Sequence, residues 1–397
     1  MRDEVVVVSM VRTPTGLFGS NFKDLLGIDM ATMVIKEAVS RAGLDQHKEL
    51  IDDVIFGQMY FRNKDECNVG RLAAWRAGLP ETVPGLTVQR ACASGLQAII
   101  SGVETILAGN ADIVVAGGTE SMSNAPYELY SMRWGKKMLS EELFDSMYPP
   151  ILSCPPTGTG MGITAENLAE KMNISREEMD EFAFTSHQLA IQAIDAGRFK
   201  EEIMPVTLKG KKNDLIISED EGPRRDISLE KMSNLKPAFK AGGKVTAANA
   251  TTLNDGASTL VLMSGKKAKE LGLKPIARYV SCAVVGLDPD IMGYGPVPAT
   301  KKALTRAGLK IEDIDLFEVN EAFAVVPLAF MKEFKVKRDK MNVNGGAIAI
   351  GHAIGSSGAR ISVTLLSEMR RRKSKYGITA ICQGTGMGTS VIWEMLS

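Results

Sequence analysis

The strongest constraint on what this chain can fold into is its resemblance to itself. Lys36-Glu37-Ala38-Val39-Ser40-Arg41-Ala42-Gly43-Leu44 returns as Lys301-Lys302-Ala303-Leu304-Thr305-Arg306-Ala307-Gly308-Leu309, 265 residues later when counted from Arg41 to Arg306. Each copy reads as an amphipathic helix that stops at a glycine and leads, past acidic residues, into an apolar strand: Asp52-Asp53-Val54-Ile55-Phe56 in one half and Ile314-Asp315-Leu316-Phe317 in the other. A reactive residue type stands at a predicted helix start later in each half. These are Cys92, before Ala93-Ser94-Gly95, and His352, before Ala353-Ile354-Gly355, 260 residues apart. Each half closes with an apolar strand running into glycines, Ile113 to Gly118 and Thr379 to Gly388. Near-equal offsets point to one duplicated unit, and strands alternating with helices make each unit a mixed α/β half with a helix-covered sheet.

The stretch between the halves has a different texture. Residues 121 to about 248 carry Pro149-Pro150, Pro155-Pro156, a Gly-Thr-rich run and the charged segment Lys209 to Arg225. Ser175-Arg176-Glu177-Glu178 is a capping box that predicts a long helix through Met179, Phe182 and Ala190. The division that follows is an N-terminal half of 1–120 plus about 249–273, an inserted loop domain of 121–248 placed over the sheet ends, and a C-terminal half of 274–397. The apolar run Thr259 to Met263 is expected to return to the first half as a strand.

Composition removes several function classes. Forty-seven basic residues balance forty-seven acidic ones, which gives no electrostatic reason for a nucleic-acid or membrane partner. Apolar runs such as Val5 to Val8 fall short of the roughly 18 residues expected of a membrane span. Met1-Arg2-Asp3-Glu4 lacks the basic start and apolar core of an export signal, so a cytoplasmic location is expected. The five cysteines (Cys67, Cys92, Cys154, Cys282, Cys382) are scattered without a CxxC pair, a pattern of reduced thiols rather than disulfides or zinc ligands. Of the three histidines, none has ligand spacing, so no metal is expected. His47 and His187 read as solvated or structural.

Cys92, at a strand-to-helix turn, meets backbone N–H groups that favour thiolate and can also serve an oxyanion. His352 lies within Asn344-Gly345-Gly346 through Gly351-His352, among glycines that permit close backbone approach. Cys382 ends a strand and opens Gln383-Gly384-Thr385-Gly386-Met387-Gly388, too near the C-terminus to be a dinucleotide fingerprint. Asn320, in Asn320-Glu321-Ala322-Phe323-Ala324, reads as a helix cap compatible with an active-site role.

Together these four blocks, with Val88-Gln89-Arg90-Ala91-Cys92-Ala93-Ser94-Gly95 first, resemble the signature blocks of the thiolase family, and Gly117 to Ser123 extends the likeness. The resemblance implies an acetyl-CoA C-acyltransferase that forms or cleaves 3-oxoacyl-CoA in fatty-acid (β-oxidation) or short-chain acyl-CoA metabolism. It further implies a site between two α/β halves, a CoA-binding insertion, CoA as substrate with no other cofactor, and a homodimer or homotetramer. By the same likeness Cys92 is the nucleophile, His352 its base, and Cys382 the acid/base at the acetyl-CoA α-carbon. The N–H groups of Cys92 and Gly384 form one oxyanion hole, and His352 with a water held by Asn320 forms the other. Arg224, Thr251 and Met161 take CoA-binding positions, and the basic run Lys209-Gly210-Lys211-Lys212 and Arg225 are further candidates for the nucleotide end.

The chain departs from the family pattern in places. Gln89 stands where asparagine is usual, Ala91 differs from the common residues before the nucleophile, and Thr251 replaces a frequent serine. Gly160-Met161-Gly162 lacks the histidine of many biosynthetic members, which leans toward the cleaving branch and a pocket open beyond acetoacetyl chains. Tyr148 or Met147 folding inward would close that pocket. Two other readings compete: a catalytically silent thiolase-fold subunit that binds acyl-CoA, and a decarboxylating ketoacyl synthase, which would carry a second active-site histidine where Cys382 stands.

Overall fold

Apolar runs from both halves pair into one mixed sheet in the computed structural model, which describes residues 4–60, 66–147 and 156–396. Tyr148 and Cys154 lie outside the described residues. In chain order the principal strands are β1 (Val5–Arg12), β2 (Asp53–Gly57), β3 (Gly85–Val88), β4 (Ile113–Ser121), β5 (Asn254–Ser264), β6 (Ala277–Gly286), β7 (Leu316–Val319), β8 (Tyr376–Gln383) and β9 (Met387–Met395). Their order across the sheet is β7-β8-β9-β6-β1-β5-β4-β2-β3. Every residue of β4 and β5 is buried, which is why these strands read as continuous rather than alternating apolar runs.

The duplication is visible in the pairing. β2 runs parallel to β4, which is antiparallel to β5, which is antiparallel to β1. In the other half β7 runs parallel to β8, β8 antiparallel to β9, and β9 antiparallel to β6. Two separate sheets were expected; here they fuse, because β1 pairs with β6 through Val6 opposite Arg278 and Val7 opposite Ala277. Without that contact each half would leave an unpaired edge in the middle of the molecule.

Six helices matter for the site: α1 (Gly27–Arg41), α2 (Ser94–Leu107), α3 (Met161–Lys171), α4 (Arg176–Asp195), α5 (Pro296–Ala307) and α6 (Ile354–Arg372). The repeated helices α1 and α5 end alike. Gly43 and Gly308 take φ of +71° and +67°, and the next residues close the turn, Leu44 N–H to Val39 O and Leu309 N–H to Leu304 O, both 3.1 Å. The expected capping box opens α4: Glu178 N–H donates to Ser175 Oγ at 3.1 Å, and Ser175 N–H to Glu178 Oε2 at 2.6 Å.

One apolar core joins side chains from both halves of the sheet to α2 and α6, while two others lie under α1 and under α5. The starts of α2 and α6 meet backbone to backbone. A Cβ at Gly95 would lie 2.7 Å from Gly355 O, and one at Gly358 would lie 2.4 Å from Leu96 N, so both positions require glycine. That approach brings residues 92 and 352, far apart in sequence, to one place.

The segment between β4 and β5 is anchored by a buried ionic cluster. Arg12 donates through Nε to Glu202 Oε1 at 2.7 Å and through Nη1 and Nη2 to Asp220 at 2.7 and 2.9 Å. Asp220 also accepts from Thr15 N–H at 2.8 Å. The first strand and the insertion therefore hold each other in register.

Candidate active site

Cys92 sits in the five-residue approach between the end of β3 and the start of α2. Ala91 turns the chain at φ +45°, a left-handed conformation costly for a residue with a Cβ. Ser94 stabilises the turn, its Oγ donating to Ala91 O at 2.7 Å and accepting from Arg90 N–H at 2.9 Å. His352 follows Gly351 at φ +113°, and its N–H donates to Asn254 Oδ1 at 2.8 Å. Glu120, at the end of β4, ties the two sides together: Oε2 accepts from Met59 N–H at 2.9 Å and from Gly355 N–H at 3.0 Å. Sequence reasoning counted Glu120 within a family block without seeing this role, which depends on contacts 61 and 235 residues away.

Cys92, His352, Cys382 and Gly384 line one cavity of about 770 Å³, and Thr251 and Met161 line it too. Thr251 Oγ1 donates to Ala347 O at 2.7 Å, and Met161 is the first residue of α3. Asn320 is buried and is not among the residues that line the cavity. Its N–H donates to Ala380 O at 2.9 Å, while neither polar atom of its side-chain amide has a hydrogen-bond partner among the described residues. Its neighbour Glu321 is structural: it accepts from Ser186 Oγ and from Asn342 Nδ2, both at 2.7 Å, and so secures the Asn344-Gly345-Gly346 turn.

Arg224 is not brought to the cavity. It is exposed, and its backbone N–H donates to His187 Nδ1 at 3.1 Å. Among the other basic candidates, Arg225 pairs with Asp195 at 2.6 Å and Lys209 with Asp214 at 2.6 Å. His187 is buried, as a structural histidine would be; burial, with Arg224 adding to it, pushes it down to about 4.

The ionisation pattern corrects one expectation. Helix-start N–H groups were expected to favour thiolate at Cys92, but burial pushes the thiol up to about 11, and Glu120 adds to the rise. The N–H groups of Gly384 and of Cys92 itself pull the other way and are outweighed. Burial, reinforced by the Arg360 guanidinium, pushes His352 down to about 3. Cys382 is pushed up by burial and by the nearby Cys92. The resting pair is therefore thiol and neutral imidazole.

The imidazole tautomer follows from its partner, which sequence reasoning missed. His352 Nδ1 lies 2.6 Å from Ser357 Oγ, and that hydroxyl donates its one proton to Ala353 O at 2.9 Å. With the hydroxyl so engaged, Nδ1 carries the ring proton and Nε2 is left bare as a base. Nε2 is buried without a hydrogen-bond partner among the described residues. A thiol, a neutral base, a second thiol and two backbone N–H donors on one cavity can perform covalent acyl transfer with proton movement at a carbon.

The model of the thiolase N-terminal domain matches residues 5–266, and that of the thiolase C-terminal domain matches residues 273–395. The chain is 49% identical to an acetyl-CoA acetyltransferase of Syntrophomonas wolfei, with all of both chains covered. The crystal structure of the Bacillus anthracis acetyl-CoA acetyltransferase superposes with a TM-score of 0.96 at 46% identity, covering 100% of this chain and 99% of that one. Human mitochondrial 3-ketoacyl-CoA thiolase in complex with CoA gives 0.95 at 41%, covering 100% and 98%. With likeness running end to end in sequence and fold, the chain belongs to the thiolase family of acyltransferases.

Proposed function

We propose that the enzyme works by a ping-pong reaction through an acyl group on Cys92. His352 Nε2 takes the Cys92 proton as sulfur attacks the 3-oxo carbonyl carbon, because the resting thiol is not ionised. The bond between the α-carbon and that carbonyl breaks, acetyl-CoA leaves as an enolate, and Cys382 gives the α-carbon its proton. A CoA thiol then attacks the acyl-enzyme, returning Cys92 and releasing an acyl-CoA two carbons shorter; the reverse direction makes the carbon–carbon bond. CoA is a substrate, and the chemistry needs no further cofactor.

The N–H groups of Cys92 and Gly384, already directed at the sulfur, receive the oxyanion on the acyl carbon. Protonated His352, with a water held by Asn320, receives the enolate oxygen. Thr251 and Met161 contact the pantetheine arm, and Arg224 meets the nucleotide from the surface of an inserted domain at 121–248. That insertion interrupts an N-terminal half of 1–120 plus about 249–273, which is followed by a C-terminal half of 274–397. We assign the enzyme to the cytoplasm as a homodimer or homotetramer, a reading supported by exposed Tyr130, Trp134, Met138 and Leu139, whose apolar area suits an interface.

The observation that carries this mechanism is the meeting of Cys92, His352 and Cys382 on one cavity. It also counts against a silent acyl-CoA-binding subunit, which has no need of two thiols and a tautomer-fixed base. Incubation with acetoacetyl-CoA followed by peptide mass spectrometry tests it: acetyl is expected on Cys92, and label confined to Cys67, Cys154 or Cys282 would overturn the assignment. Arg224→Ala is expected to raise the KM for CoA with little change in kcat, as loss of uniform binding does. An unchanged KM removes Arg224 from the site.

A further inference from the structure

Seven residues other than glycine take a positive φ among the described residues. Five have ordinary reasons: Lys335 and Lys373 stand at helix C-caps, Asn173 and Asn342 are asparagines, which tolerate the conformation, and Leu139 lies in an exposed loop. Ala91 and Thr385 are different, because both line the catalytic cavity. Ala91, at φ +45°, directly precedes Cys92, and Thr385, at φ +70°, directly follows Gly384. Each of the two backbone N–H groups that meet the Cys92 sulfur therefore has a strained neighbour in the chain.

Separate contacts hold each position in place. The Ala91 carbonyl oxygen accepts from Ser94 Oγ at 2.7 Å and from Ser94 N–H at 3.0 Å. Thr385 stands at the tip of the hairpin between β8 and β9, and that tip is pinned from outside. Gly386 O accepts from Leu287 N–H at 2.8 Å, and a Cβ at Gly386 would collide with Leu287 O. A Cβ at Gly388 would collide with Gly295 O, so the hairpin lies flush on the chain before α5. Neither strained residue can relax without breaking these contacts.

For a residue with a Cβ the left-handed region is a small well, whereas glycine occupies it broadly and leaves it readily. Holding alanine or a β-branched threonine there costs stability, yet it narrows the angles open to the adjoining peptides. We propose that Ala91 and Thr385 are positioning residues of the oxyanion hole: their clamped left-handed backbone fixes the Cys92 and Gly384 N–H groups before charge develops on the acyl oxygen. Stability is given up for a donor pair that does not reorganise during the reaction. The proposal rests on the acyl-enzyme reading above.

The test relaxes each position in the intact enzyme and reads stability against catalysis. Ala91→Gly and Thr385→Gly should leave the urea midpoint of unfolding at or above the wild-type value, because relief of strain offsets glycine's extra freedom in the unfolded chain. With acetoacetyl-CoA and CoA as substrates, kcat should still fall about tenfold, while the KM for CoA stays within about twofold. Thr385→Asn, which accepts the left-handed conformation without glycine's freedom, should recover most of the kcat lost in Thr385→Gly. Such recovery separates the backbone from the threonine hydroxyl, which asparagine does not reproduce. An unchanged kcat in either glycine variant overturns the proposal for that residue, and so does a fall in kcat that comes with a lower midpoint, since that is loss of fold. Thr385→Asn as slow as Thr385→Gly assigns the loss to the hydroxyl and overturns it for Thr385. No acetyl group on wild-type Cys92 after incubation with acetoacetyl-CoA overturns the acyl-enzyme reading instead.

Discussion

Ser357 Oγ stands 2.6 Å from His352 Nδ1 and spends its own proton on Ala353 O, so a serine one helical turn into α6 determines which imidazole nitrogen is free to act as base. Removing that hydroxyl leaves the ring with neither a fixed tautomer nor a fixed plane. Ser357→Ala is expected to lower kcat by about tenfold to a hundredfold, the equivalent of a lost buried hydrogen bond, with a smaller effect on the KM for CoA. Ser357→Thr, which keeps the hydroxyl, should recover part of the loss. A KM effect equal to the kcat effect would mean that the serine only supports the fold.

The two thiols separate by half-reaction. Cys382→Ser should still acylate at Cys92 but lose carbon–carbon bond formation, because a hydroxyl near neutral pH is a far poorer proton donor and acceptor than a thiol. Cys92→Ala should abolish acylation. Equal loss of the acylation half-reaction in both folded variants would contradict this division.

Protonation of the nucleophile has its own signature. With Cys92 pushed up to about 11, its alkylation by iodoacetamide should be slow at neutral pH and still climb about tenfold per pH unit past the ordinary thiol range near 8.5. A rate already on its plateau at neutral pH would reveal a thiolate–imidazolium pair in the resting enzyme, and one levelling off near 8.5 an unshifted thiol.

Folding stability should sense His187. Its folded value near 4 lies below the ordinary 6.5, so between these values the unfolded chain binds more protons than the native one. The contribution is fully present above about 6.5 and is lost as pH falls toward 4, at about 1.4 kcal/mol per pH unit within the window. Urea unfolding of wild type and His187→Gln at several pH values isolates it: the variant should show a shallower fall. Parallel slopes would refute the assignment. His352 adds a contribution of the same sign.

Arg12 makes the ionic anchor of the insertion testable. Asp220→Ala removes the bidentate partner of a fully buried guanidinium and should destabilise the protein by about 3–5 kcal/mol. A loss below about 1 kcal/mol would show that Glu202 alone suffices.

Local chemistry is what the sequence determined by itself. Gly43 and Gly308 end matching helices, Ser175 caps α4, and the blocks around Cys92, Asn320, His352 and Cys382 are recognisable because each needs only residues adjacent in the chain. The repeat at near-equal offsets likewise announced two like halves. Tertiary structure decided what depends on residues distant in sequence. It fused the half-sheets at Val6 and Val7, because two strand edges had no other partner. It kept Cys92 protonated, because desolvation is a sum over everything packed around the sulfur and here exceeds the pull of nearby N–H groups that a local motif reveals. It also left Arg224 outside the cavity and turned Met147 into it, since which side chains wall a pocket is decided by how separate segments pack.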